Sequence, residues 1–195
     1  MVHGPLFVLS GASGSGKSTL VAELLRQSAW PLRVAVSATT RPPRPGEVDG
    51  RDYHFWTRDR FLAAVAAGEF LEHAEVHGNL YGTLASEVVP YRQMGRGVFV
   101  VIDVQGAARL RQIDPYVITI FVQVGTLAVI EQRLRARGTE DEPTIQRRLA
   151  NAQIELAQAG EYEFEVVNDD LPSAVRQLEA IVATGFQRVR ACSTN

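Results

Sequence analysis

The chain carries short, predominantly apolar runs, and each run leads into a stretch where apolar residues recur every three or four positions. Leu6–Ser10 is the first run; residues 17–26 follow, with Leu20, Val21, Leu24 and Leu25 on one helical face. Runs at residues 98–102, 117–124 and 164–167 repeat the pattern, followed by helix-compatible stretches at 104–113, 127–137 and 171–189. A short run with no polar alternation suits a strand buried on both faces, and strands alternating with helices imply a parallel sheet. The expectation is an α/β fold with a mostly parallel sheet and helices on both faces.

Two stretches interrupt the alternation. Residues 39–50 are rich in Pro, Gly and charge, and lead into Tyr53, His54, Phe55 and Trp56, a helix-compatible 58–67 and an alternating 70–77. They predict a small β-rich lobe inserted between core elements. Residues 135–148 are densely charged, contain Gly138 and Pro143, and lie between two helical patterns, which predicts a mobile flap. The expected division is a core of residues 1–36, 91–125 and 152–195, an inserted lobe at 37–90 and a lid at 126–151.

A length of 195 residues fits one domain with inserted lobes. The net charge of −2 gives no bulk attraction to nucleic acid or to an anionic membrane, and neither partner is expected. Cys192 is the sole cysteine, which rules out an intramolecular disulfide and suits a reducing compartment. No apolar run approaches the roughly 18 residues of a spanning helix. The first residues lack a basic leader and read as a strand, so a soluble cytoplasmic protein is expected. His3, His54 and His77 have no paired ligand spacing, and no protein-bound zinc is expected.

The distribution of cations changes the picture. Of 20 Lys and Arg residues, all but Lys17 are Arg, and Lys17 lies within Gly11-Ala12-Ser13-Gly14-Ser15-Gly16-Lys17-Ser18-Thr19. This is G-x-x-x-x-G-K-[ST] between a predicted strand and a predicted helix, the setting of a P-loop. Glycines there let successive N–H groups turn inward as an anion nest, and the helix that follows adds its positive end. A compact ammonium fits among phosphate oxygens where a planar guanidinium does not. Lys17 would reach the β- and γ-phosphates of a nucleotide, and the Ser18 hydroxyl would ligate Mg²⁺.

A second constellation lies in residues 37–55. Arg41 and Arg44 stand three apart on a proline-stiffened segment with Tyr53 beyond, and paired guanidiniums with a phenol suit a terminal phosphate. By themselves these residues reach only as far as nucleotide-dependent transfer to a phosphate-bearing acceptor.

The segment resembles the signature of guanylate kinases: Thr40-Arg41, Arg44, Glu47, Gly50, Tyr53 and Phe55. The resemblance continues in order through Glu69-Phe70-Leu71-Glu72, Gly78 to Thr83, Ile102-Asp103-Val104-Gln105-Gly106, Arg137-Gly138-Thr139, Gln146 to Leu149 and Val167 to Leu171. It implies transfer of the γ-phosphoryl group of ATP to GMP with Mg²⁺, by a monomer or homodimer, the inserted lobe being the GMP-binding lobe. It further implies that Arg41, Arg44, Tyr53 and Tyr81 hold the GMP phosphate. Ser37, Glu72 and Thr83 would read the guanine edge, with Asp103 close by. Guanine presents donors at N1 and N2, which a carboxylate accepts; adenine presents an acceptor at N1. Polar pairing of this kind rejects a mismatched base strongly.

Lys17, Arg44, Arg137 and Arg148 are the expected catalytic cations, the last two closing over the donor phosphates from the flap. Arg133 and Asn168 are expected on the ATP side with the P-loop, although Asn-Asp-Asp is also an ordinary turn and helix cap. Two alternatives stand beside this reading: a non-catalytic interaction module of the same family, and a P-loop kinase of a sugar phosphate. One departure is visible. The family usually carries an acid two residues before the position of Asp103, and here that residue is Val101. Mg²⁺ would then rest more on Ser18, phosphate oxygens and water.

Overall fold

The computed structural model describes residues 3–12, 14–76, 78–136 and 141–192. Its elements run β1 (Leu6–Ser10), α1 (Lys17–Gln27), β2 (Leu32–Val34), β3 (Ala38–Thr39), β4 (His54–Phe55), α2 (Arg58–Ala66), β5 (Phe70–Val76), β6 (Asn79–Leu84) and α3 (Ala85–Gln93). They continue β7 (Gly97–Val101), α4 (Val104–Ile113), β8 (Ile118–Gln123), α5 (Leu127–Ala136), α6 (Glu142–Leu156), β9 (Phe164–Val167) and α7 (Leu171–Cys192).

A parallel five-stranded sheet is ordered β2-β7-β1-β8-β9. The apolar runs follow from its two covered faces. Phe7 and Leu9 pack with Leu20, Leu24, Val175 and Leu178 on the α1 and α7 side. Leu6 and Val8 pack with Val88, Val104 and Leu110 on the α3 and α4 side. β1, central and buried throughout, delivers the glycine loop at its C-terminal end. Ligands of open α/β sheets lie at that edge.

A second, four-stranded sheet is ordered β4-β3-β6-β5. Its β5–β6 and β3–β6 pairs are antiparallel, and Glu72 of β5 is in register with Thr83 of β6. Ala38, Phe61, Leu80 and Leu84 form its core, with Trp56 and Phe70 against them; Phe61 and Phe70 stack at 4.4 Å.

Three elements depart from the sequence pattern. β2 is too short to announce itself. α3 has Pro90 inside it, and a proline reads as a helix breaker. Helix extends into the stretch expected as a flap over residues 135–148: α5 runs to Ala136 and α6 starts at Glu142. The reason is local. The Asp141 side chain accepts from the Thr144 N–H at 3.1 Å, and Pro143 sits in the first turn, where its missing N–H costs nothing. Arg135 joins the two helices by donating to both carboxylate oxygens of Glu142 at 2.6 and 2.8 Å. That pairing holds the Glu142 carboxyl down to about 2.

Candidate functional site

The glycine loop closes against the strands beside β1. Gly11 has φ 144° and Gly16 φ 86°. A Cβ on Gly11 would lie 2.1 Å from the Val122 carbonyl oxygen, and one on Gly16 would lie 2.5 Å from Asn168 Nδ2. Neither position admits a side chain. No side-chain hydrogen bond caps the start of α1, which follows directly on the loop with Gly16 at the cap position. Lys17 folds back over the loop, its Nζ donating to the Gly11 and Ala12 carbonyls at 2.5 and 3.1 Å.

Asn168 and Arg133 brace this loop from behind. Buried Asn168 Nδ2 donates to the Ser15 carbonyl at 2.7 Å. Arg133 donates to the Asn168 carbonyl at 2.9 Å and to the Ser15 carbonyl at 3.4 Å. Ser13 and Arg137, both expected at the site, lie outside the described residues.

On the second sheet, the Thr83 hydroxyl donates to Glu72 Oε1 at 2.7 Å, and Glu72 is only 5% exposed. Burial pushes the Glu72 carboxyl up and the charge of Asp103 adds to this, while the Thr83 hydrogen bond opposes it. Asp103 caps α4, its Oδ1 accepting from the Gly106 N–H at 2.9 Å.

Arg41 and Arg44 are organised by Glu47. Arg41 makes a two-pronged pair with the Glu47 carboxylate at 2.8 and 2.9 Å, and the Arg44 N–H donates to it at 2.6 Å. The Arg41 guanidinium also lies 5.3 Å from the Tyr53 ring, which meets Tyr81 edge-on at 6.1 Å. Burial raises the Tyr53 phenol above its ordinary range, so it stays a neutral donor. Residue patterning gave Glu47 no role, because its partner is defined by a turn rather than by helical or strand spacing.

A cleft of about 230 Å³ joins these parts. Gly11, Lys17 and Ser18 line it from the loop, Ser37, Tyr53, Glu72 and Tyr81 from the second sheet, Val101 and Asp103 from the end of β7, and Arg148 from α6. Thr83 lies behind Glu72, and Arg41, Arg44, Arg133 and Asn168 are not among the lining residues. Asn151 and Glu155 also line the cleft. With Arg148 they fall at i, i+3 and i+7, one face of α6, a spacing that could have flagged them in the sequence. Among the described residues no group of three His, Cys, Asp or Glu could hold a metal ion, and no helix is long and apolar enough to cross a membrane.

Comparison with known proteins matches residues 4–184 to the family model "Guanylate kinase". A guanylate kinase of Alcanivorax borkumensis is 47% identical over 179 residues, covering 92% of this chain and 86% of that protein. One of Dechloromonas aromatica is 43% identical over 192 residues, covering 96% and 95%. The crystal structure of guanylate kinase from Anaplasma phagocytophilum superposes with a TM-score of 0.77 at 30% identity, covering 94% of this chain and 87% of that one.

Proposed function

The chain belongs to the guanylate kinase family and is an ATP:GMP phosphotransferase, and from that premise we propose how its residues share the reaction. The observation that carries the assignment is the joint lining of one cleft by the P-loop, by Glu72 with Ser37, and by Arg148.

The loop N–H groups and Lys17 hold the donor phosphates, with Lys17 leaving its two carbonyl partners to reach them. Glu72, ionised, accepts from guanine N1–H and N2–H, and Ser37 donates to O6. Thr83 holds Glu72 in place and Asp103 bounds the same pocket. Arg41 and Arg44, with the Tyr53 and Tyr81 hydroxyls, hold the GMP phosphate as acceptor. Arg148, joined by Arg137, neutralises charge on the moving phosphoryl group. Arg133 and Asn168 serve the ATP side by fixing the loop. No side chain need act as nucleophile; the residues align a GMP oxygen with the γ-phosphorus and exclude water.

Magnesium fits this cleft as a substrate-held ion. Ser18 offers a hydroxyl at the loop and Asp103 is within the same lining, but Val101 offers no oxygen. Ser18, phosphate oxygens and water would hold it, and it would supply neutralisation of phosphate charge. The lobe of residues 37–90 and the lid of 126–151 close on the two nucleotides, in a soluble cytoplasmic monomer or homodimer that uses neither nucleic acid nor membrane. The test is ADP formation from Mg-ATP with GMP, AMP, CMP, UMP or no acceptor. Turnover is expected with GMP alone; ATP binding without turnover on any acceptor would point to an interaction module instead.

A further inference from the structure

Gly106 stands in the first turn of α4, with its N–H given to Asp103. It is not among the glycines with positive φ, so its backbone is open to any residue. Alanine is the better helix former at such a position. The reason for glycine therefore lies in space rather than in torsion. A Cβ at 106 would lie 2.8 Å from Glu72 Oε2, 3.3 Å from Glu72 Cδ and 3.1 Å from Ile102 Cδ1.

We infer that Gly106 is a positioning residue for base selection: its bare face admits the Glu72 carboxylate against α4 in the one orientation that reads guanine. This rests on the assignment of Glu72 to the guanine edge.

Glu72 Oε1 is fixed by the Thr83 hydroxyl, and Oε2 lies against the turn where Gly106 leaves room. The two elements thus engage different oxygens of the carboxylate. The N-terminal turn of a helix also carries positive partial charge, which favours an anion there against burial and the nearby Asp103. A methyl group at 106 meets mainly the far end of a long side chain, which can swing aside. The penalty then falls on where the carboxylate points rather than on the fold. Guanine needs both oxygens placed, one for N1–H and one for the N2 amine. Hypoxanthine lacks the N2 amine and should feel the displacement less.

The experiment is a cycle of Gly106→Ala, Glu72→Ala and the double variant. It reads kcat/KM for GMP and IMP, the KM for ATP, and thermal unfolding. Gly106→Ala should lower kcat/KM for GMP by about tenfold or more, as expected for a misplaced charged hydrogen bond, and narrow the GMP/IMP ratio. ATP KM should stay within about twofold, and the unfolding temperature should hold. In the Glu72→Ala background the same substitution should change GMP kinetics by less than about twofold, because the carboxylate it displaces is gone.

An undiminished Gly106→Ala effect in that background overturns the inference. So does a Gly106→Ala enzyme with normal GMP kinetics alongside an impaired Glu72→Ala enzyme. Normal GMP selectivity in Glu72→Ala removes the guanine-edge assignment itself and the inference with it. Should Gly106→Ala fail to fold, recovery of folding in the double variant would support the collision with Glu72, and failure of both would refute it.

Discussion

Replacing Glu47 by Gln asks whether Arg41 must be held in place before the acceptor phosphate arrives. Arg41 Nη1 donates to Glu47 and to the Pro42 carbonyl at 2.8 and 2.7 Å, and Nη2 donates to Glu47 at 2.9 Å. These use three of the five guanidinium N–H groups, and the rest remain for Tyr81 and an incoming phosphate oxygen. Glutamine keeps the shape of the carboxylate but turns an NH₂ group toward a guanidinium donor, so one prong of the fork is lost along with the charge. The side chains are 11% and 19% exposed, so water replaces little of that interaction. A hydrogen bond to a charged group contributes about 1.5–3 kcal/mol; a value of about 2 kcal/mol raises the GMP KM by about 30-fold. The turnover number should change by less than about threefold, since in its proposed role Arg41 would bind the acceptor phosphate in ground and transition states alike. The assay is ADP formation with GMP varied at saturating Mg-ATP, with GMP titration in the absence of ATP as a second readout. The Arg41 pair holds the Glu47 carboxyl below its ordinary range, so the pairing persists at neutral pH and is lost only as pH falls through that lowered value. An unchanged or lower GMP KM would mean that Glu47 competes with phosphate for Arg41, and would refute the reasoning.

Arg148→Ala should cut the turnover number about 10³-fold while GMP KM moves less than about threefold, as for other arginines that act on a transferring phosphoryl group; the reverse pattern in steady-state kinetics would reject its role. Val101→Asp should lower the Mg²⁺ concentration for half-maximal rate with GMP KM steady, because it adds a carboxylate to the cleft that Ser18 also lines; an unchanged Mg²⁺ titration would sink the idea. The raised Glu72 carboxyl takes up its proton at higher pH than an ordinary carboxylate, and the protonated group presents an O–H to a guanine donor. On acidification kcat/KM for GMP should therefore fall earlier and more steeply than in Glu72→Gln. Protonation of the GMP phosphate near about pH 6 is common to both enzymes, so superimposable profiles would count against Glu72 as the titrating group.

What the sequence made legible follows from where each signal resides. β1, β7 and β8 are buried on both faces, so their apolar runs stand out, whereas β9 is an edge strand read from Phe164, Val166 and Val167 around an exposed Glu165. The P-loop is legible because its chemistry is local: the torsions, the lysine and the following helix lie within nine residues. α6 was hidden because Pro143 and dense charge read as loop until the Asp141 cap is seen to start a helix there. Glu47 and Gly106 were quoted within recognisable segments, yet their work exists only in contact, Gly106 with a carboxylate from another sheet.

Arg133 and Asn168 make the same point about the donor site. Their residue types suit a phosphate or a base, and the sequence places them near ATP; in space they grip the Ser15 carbonyl and are not among the residues that line the cleft. This brace has a mechanical consequence. Ala12 of the loop, Ile130 and Leu134 of α5 and Ala152 of α6 share one buried cluster, with Leu149 packed on it. The base of the proposed lid is therefore joined to the loop that holds the donor phosphates. α6 is tied to α5 at two places, by Leu149 and Ala152 on that cluster and by the Glu142–Arg135 pair at its N-terminal turn. Arg148 lies between these two ties, next to Leu149. In the role proposed for Arg148, that arrangement would keep its guanidinium in register with the donor phosphates while the second sheet brings in the acceptor.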